Sequence, residues 1–136
     1  EEVQYLFEFE DDCNVTYRFD HLRTLSPKLA EIAESFPGPV EGDSRTTFVD
    51  RIQIEELEIL ATEVGVPGNV FVDFGVYDYR QPNEISYDPE WLAQDDTNEP
   101  QAMHAVCWFD LLPQEDASIV KSLPGSGIEG STSDYC

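Results

Sequence analysis

The residue types best suited to covalent chemistry lie close together at His104 and Cys107. Such a pair would supply a thiolate nucleophile and its base. The apolar run from Gln101 to Leu112 predicts a central strand, however, and strand residues three apart point to opposite faces. Asp110 is about 20 Å from His104 along such a strand, too far to orient it. We therefore expect no catalytic pair here, and interpret Cys107 as a buried, inert thiol.

Metal-ligand chemistry is also weakly represented in the sequence. Asp20-His21 is a single pair, and the run 95–99 supplies oxygen donors without the order or turn glycine of an EF-hand loop. A loosely held Ca²⁺ or Mg²⁺ at 95–99 is the alternative to a solvated loop. No phosphate-binding loop or nucleophile motif is present. The sequence predicts no enzyme, no metal site and no cofactor.

The elements that would position a site begin with a β-hairpin. Apolar residues alternate with polar ones over 3–9, with Leu6 as the single exception, and again over 13–19, the pattern of two half-buried strands. Matching their apolar faces requires an odd loop, which predicts a three-residue turn at 10–12 with Asp12 in the left-handed conformation. Glu8 and Glu10 then point outward.

The remaining pattern predicts an α+β fold with an antiparallel or mixed sheet of about four to five strands. Two amphipathic helices are expected on one face of this sheet. The first is capped by Ser26-Pro27, and the second buries Leu57. We expect one domain over 1–113, then a short helix and a flexible Gly/Ser-rich tail over 114–136. The second of these helices is predicted at 53–64. The other predicted elements are strands at 46–49, 70–77 and 101–112, a helical turn at 90–93 and a short helix at 116–123.

Charge is the dominant property of the chain. Acidic residues outnumber basic ones by 29 to 7 in 136 residues, giving a formal net charge of −22. The lack of a basic cluster argues against direct binding of nucleic acid or anionic lipid. No apolar run reaches the roughly 18 residues of a membrane span. The expected partner is a basic protein surface.

The acids predict a binding surface that imitates phosphates. Carboxylates along a strand face would compete for the cationic groove of a nucleic-acid-handling protein, as an inhibitor, DNA mimic or immunity-type protein of a virus or defence system. Exposed aromatics such as Tyr79 would add contact energy. The predicted partner-binding residues are Glu8, Glu10, Asp11, Asp12, Asp20, Glu55, Glu56, Asp95 and Asp96.

Two other interpretations of the charge stay open at this stage. The chain is alternatively an acidic domain from a high-salt cell, where a Lys-poor surface maintains solubility and says nothing about activity. It is alternatively a structural or assembly component of a virion or multisubunit complex, docking through its polar segments. The sequence does not specify an oligomeric state.

The number and spacing of the cysteines indicate the cellular compartment in which the protein works. There are three, widely spaced and without a CxxC pair, which favours reduced thiols and a cytoplasmic location. The chain begins with Glu1 and not with Met, so a removed signal peptide is the alternative. Asn14-Val15-Thr16 matches a glycosylation sequon, although one match in a chain of this length is close to chance.

Overall fold

The computed structural model describes residues 3–38, 40, 47–94 and 101–123. They form an antiparallel four-stranded sheet with helices, which confirms the α+β class. The strand order is β1-β2-β3, and β4 also pairs with β2. The elements are β1 (Tyr5–Glu10), β2 (Val15–Leu25), α1 (Pro27–Glu34), β3 (Ala61–Val64), β4 (Asp73–Asp78), α2 (Pro89–Gln94) and α3 (Gln114–Lys121), with 3₁₀ turns at Glu84–Tyr87, Ala102–His104 and Trp108–Leu111.

The predicted hairpin is confirmed, but its loop lies two residues later than expected. The Asp11 N–H donates to the Val15 carbonyl at 3.0 Å, which places residues 12–14 in the loop. Asn14, and not Asp12, has the left-handed backbone, with φ of 60°. The Asp11 carboxylate causes the shift because it accepts the N–H groups of Cys13 and Val15 at 2.8 and 3.0 Å. A shift of two residues leaves each strand face unchanged.

Helix α1 begins where the sequence predicts it. The Ser26 hydroxyl accepts the Leu29 N–H at 3.5 Å, and Pro27 occupies the first helical position. Leu29 is completely buried. The cap and the apolar residues Leu29, Ile32 and Ala33, which share one face of the helix, specify this helix locally.

The predicted second helix at 53–64 is wrong. Leu57 has a left-handed backbone, with φ of 62°, and its side chain is 94% exposed. Glu58 closes a turn instead, accepting the Glu55 N–H at 2.8 Å and pairing with Lys28 at 2.9 Å. The end of the segment becomes β3, whose Val64 pairs with Leu22 of β2. Pairing with a distant strand thus overrides the helical spacing.

Three predicted strands need correction. Residues 101–112 form two 3₁₀ turns instead of a strand. Their backbone meets β4 at a bridge between Tyr77 and Ala105 and at a hydrogen bond from the Val106 N–H to the Val76 carbonyl at 3.0 Å. Residues 47–49 form no strand, and Phe48 is 96% exposed; Thr46 lies outside the described residues. Strand β4 starts at Asp73 and not at Val70. An apolar run alone does not distinguish strands from buried turns.

The chain divides into two compact units, each with its own buried residues. The first comprises Glu1–Phe7 and Phe19–Asp73, with Leu22 and Leu29 at its core. The second comprises Glu8–Arg18 and Phe74–Cys136, with Val76 and Phe109 buried. β1 and β2 contribute residues to both units. The predicted tail lies outside the described residues from 124 onward.

A tight turn after β3 makes a specific demand on Gly65. Its φ is +61°, and a Cβ there would lie 2.4 Å from the Asn69 carbonyl oxygen and 2.8 Å from the Phe71 nitrogen. Gly68 also has positive φ, +87°, but a Cβ would meet nothing within 4 Å. Both alanine variants should lose about 1–2 kcal/mol from the left-handed backbone. Gly65→Ala should lose clearly more in urea unfolding, and equal losses would contradict the close approach.

Candidate functional site

The exposed face of β1 carries two carboxylates. Glu8 and Glu10 are exposed, whereas Phe7 and Phe9 between and before them are half-buried. Alternate residues of a strand are about 6.6–6.8 Å apart on one face. This face therefore presents two negative charges at the spacing of alternate strand residues, while Phe7 and Phe9 are half-buried on the opposite face.

Gln101 joins this face to β2. Its side-chain amide donates to Glu8 Oε1 at 2.8 Å, and its own oxygen accepts from Arg18 Nη1 at 3.4 Å. Gln101 thus orients Glu8 while its own oxygen is held by Arg18. No local pattern in the sequence indicates this role of Gln101, because the residue is 93 positions from Glu8 in the chain.

Tyr79 lies beside the same carboxylates and is 36% exposed. Burial raises the pKa of its hydroxyl, and the nearby charges of Glu8 and Glu10 raise it further, against a hydrogen bond with Gln101. We name Glu8, Glu10, Tyr79 and Gln101 together the β1 face; it combines exposed charge with an aromatic ring.

The hairpin loop contributes its acids differently. Both Asp11 and Asp12 are exposed, but Asp11 is occupied in holding the turn through two backbone N–H groups. A side-chain hydrogen bond to Asp78 raises the pKa of the Arg80 guanidinium, and the nearby Cys13 and Asp11 raise it further. We therefore assign Asp11 a structural role and keep Glu8 and Glu10 as the principal candidate contacts.

Beside this loop is an ion pair that the sequence analysis did not identify. Asp78, 7% exposed, accepts Arg80 Nε at 2.7 Å and Nη2 at 2.8 Å, so the pair is bidentate. Its signal in the sequence was the Asp-x-Arg spacing, which places both residues on one side where the strand ends. The Arg80 guanidinium is therefore paired with the Asp78 carboxylate, and its positive charge is not simply a counter-charge for Asp11 and Asp12 in the loop.

The pair predicts a specific loss of stability in acid. Hydrogen bonding to Arg80 lowers the pKa of Asp78 from 3.8 to about 2. A carboxyl with a lowered folded-state pKa stabilises the fold above its unfolded value, so this contribution disappears as pH falls from 3.8 to about 2. Asp78→Asn should reduce the difference in urea midpoint between neutral pH and pH near 2. The exposed Asp73→Asn control should not, and an unchanged difference in Asp78→Asn would contradict the assignment.

The structure does not gather all nine predicted binding residues. Asp20, Glu55 and Glu56 belong to the first unit, whereas the β1 face and hairpin loop belong to the second. The Asp20 carboxylate accepts the His21 N–H at 2.7 Å. Glu55 and Glu56 are exposed in the turn that replaces the predicted helix. Asp95 and Asp96 lie outside the described residues.

His104 has a structural position and not a catalytic one. Its Nδ1 lies 3.0 Å from the Gln81 carbonyl oxygen and 3.2 Å from that of Asp78, which makes this nitrogen the proton donor. Its ring packs on Tyr79, with centroids 4.9 Å apart. The separation of about 20 Å expected between His104 and Asp110 assumed an extended strand, and the segment contains two 3₁₀ turns instead.

Cys107 corrects the expectation of reduced thiols. It is disulfide-bonded and half-buried, between two 3₁₀ turns and not on a core strand. Cys13 is free and exposed in the hairpin loop. The remaining cysteine, Cys136, lies outside the described residues. The inert-thiol interpretation failed because it depended on the strand at 101–112.

Other features of the described residues add no reaction centre. A shallow depression of about 500 Å³ is lined by Pro113, Gln114, Glu115 and Ser118, with one titratable side chain. Over the described part of the chain, no three His, Cys, Asp or Glu side chains converge as metal ligands. No helix within these ranges is long and apolar enough to cross a membrane.

Comparison with known proteins identifies no relative from which a role for the β1 face could be inferred. No protein-family model matches the chain, and no curated protein or solved structure shows significant similarity to it.

Proposed function

We propose that this protein is an acidic, non-enzymatic binding protein that occludes the cationic groove of a nucleic-acid-handling protein. The observation that carries the proposal is the β1 face, where Glu8 and Glu10 are exposed at alternate strand positions beside Tyr79. The strand spacing of about 6.6–6.8 Å is of the same order as the separation of phosphates along a nucleic acid strand.

The chemistry of the β1 face suits competition for lysine and arginine side chains. Glu8 is oriented by Gln101, so less rotamer freedom is lost when a partner's cation binds it. Tyr79 supplies an amphipathic ring of the kind that dominates binding energy at protein interfaces. The net charge of −22 would accelerate encounter with a basic partner at low salt.

A second candidate is supported by the first unit. Glu55 and Glu56 are exposed there, outside the β1 face, so exposed acid is not confined to one surface. Salt adaptation of a halophilic domain would produce such dispersed acid. This candidate predicts that Glu8 and Glu10 matter no more for binding than Glu55 and Glu56.

We also propose that the protein works in an oxidising compartment. Disulfides persist in secreted, lumenal and periplasmic proteins and are rare in the reducing cytosol. The bonded Cys107 therefore favours such a compartment over the cytoplasmic location that the widely spaced cysteines favoured. The basic partner would then be met there, as a secreted nuclease would be.

The experiment that tests the function compares two double variants of equal charge. Glu8→Gln/Glu10→Gln neutralises the β1 face, and Glu55→Gln/Glu56→Gln removes the same charge from the first unit. Binding to an immobilised pancreatic-type ribonuclease, a cationic nuclease, is measured at low salt. The first variant should bind about tenfold more weakly, equivalent to about 1.4 kcal/mol, and the second should bind nearly as wild type.

Polylysine serves as the probe for charge alone. Equal weakening of both variants on the ribonuclease and on polylysine would show that only total charge matters. The β1 face would then not be a specific binding surface. Selective weakening of Glu8→Gln/Glu10→Gln on the ribonuclease supports it.

A further inference from the structure

A sequon begins at the exposed end of the β1–β2 loop and continues into β2. Asn14, Val15 and Thr16 have the order Asn-x-Thr with a non-proline middle residue, which is the acceptor pattern for N-linked glycans. Asn14 is the last residue of the loop and is exposed. Its backbone is held by hydrogen bonds to Asp11 at 3.2 Å and from Tyr79 at 3.1 Å. Across the described residues, no hydrogen bond occupies its side-chain amide.

The disulfide gives an independent reason to take this sequon seriously. Glycan transfer to asparagine and disulfide formation both occur in the secretory pathway, in the oxidising lumen of the endoplasmic reticulum. Cys107 is bonded, and it lies far from the hairpin loop in sequence. The sequon and the disulfide thus point to the same compartment. A sequon that matched by chance would not need to occur in a chain with a disulfide.

We propose that Asn14 is an N-glycosylation site. In the transfer, the Asn14 side-chain nitrogen forms a bond to the anomeric carbon of a lipid-linked oligosaccharide. The bond between that carbon and the lipid diphosphate breaks, the diphosphate lipid leaves, and the amide nitrogen loses one proton. The folded loop then holds the glycan in solvent at the end of the hairpin.

The burial of Thr16 determines when the transfer occurs. A transferase reads the sequon through its hydroxyl residue, but Thr16 is only 6% exposed in β2. The modification must therefore precede hairpin formation, on the extended chain as it enters the lumen.

The test is translation of the chain, preceded by a secretory signal sequence, in the presence of microsomes. The wild-type product should show a mass increase that N-glycosidase removes, leaving Asp in place of Asn14 in peptide mapping. Asn14→Gln should abolish the increase, whereas Thr16→Ser, which retains the sequon, should keep it. Because transfer precedes folding, the result does not depend on the stability of either variant.

A known glycoprotein with the same signal sequence is the control for an active transferase. If that control is glycosylated and the translocated wild-type chain is not, the proposal is overturned. A mass increase that persists in Asn14→Gln would equally overturn it. The result is independent of ribonuclease binding, so either proposal can fail without the other.

Discussion

Replacing Leu29 with alanine is expected to lower the free energy of unfolding by about 2–5 kcal/mol. Leu29 is completely buried and is the largest side chain of which this is true among the described residues. Its truncation removes apolar contacts and leaves a cavity between α1 and the surrounding first unit. Typical domains are stable by only about 5–15 kcal/mol, so the loss would be a large fraction of the total. Urea unfolding followed by circular dichroism measures it.

Leu57→Ala is the matched control for this prediction. It deletes the same atoms from a side chain that is 94% exposed, so the cost should stay within about 0.5 kcal/mol. If Leu57→Ala cost as much as Leu29→Ala, the segment 53–64 would be packed as the amphipathic helix that its spacing predicts. Comparing the two variants therefore tests both the burial of Leu29 and the absence of the predicted helix at 53–64.

The second large effect is expected on breaking the disulfide at Cys107. Cys107→Ser should reduce stability by about 2–4 kcal/mol, because the cross-link restricts the unfolded chain. Cys13→Ser should have little effect, since Cys13 is free and exposed. Thermal unfolding of both variants, without reductant, gives the comparison.

Alkylation before reduction tests the same assignment chemically. Cys13 should be labelled in the folded protein, and the peptide containing Cys107 should be labelled only after reduction. Labelling of Cys107 without reduction, with equal stability of the two serine variants, would show a reduced chain. The oxidising compartment would then lose its support.

The local parts of the fold were predictable from sequence, and the non-local parts were not. The hairpin follows from period-two alternation, and α1 from the Ser26-Pro27 cap with its apolar stripe. At 53–64 the same helical spacing was misleading, because Leu57 adopts a left-handed backbone and β3 pairs with β2. The apolar run at 101–112 could equally form a buried strand or turns, and only its packing decides.

The candidate site shows the same division. Exposure of Glu8 and Glu10 follows from the parity of β1 alone. The contribution of Gln101 does not, because its contact with Glu8 joins residues 93 positions apart. The Asp78–Arg80 pair lies between these cases, since its spacing was visible but the burial of Asp78 depends on the folded second unit.

The central claim is that the acidic β1 face binds a basic partner, and a KCl series tests it most directly. Circular dichroism and affinity for the cationic ribonuclease are measured on the same samples. We predict a folded chain at low salt, with the tightest binding there and a steady loss of affinity as salt screens the charges. A chain that folds only in molar KCl and has no affinity for the ribonuclease would contradict the claim.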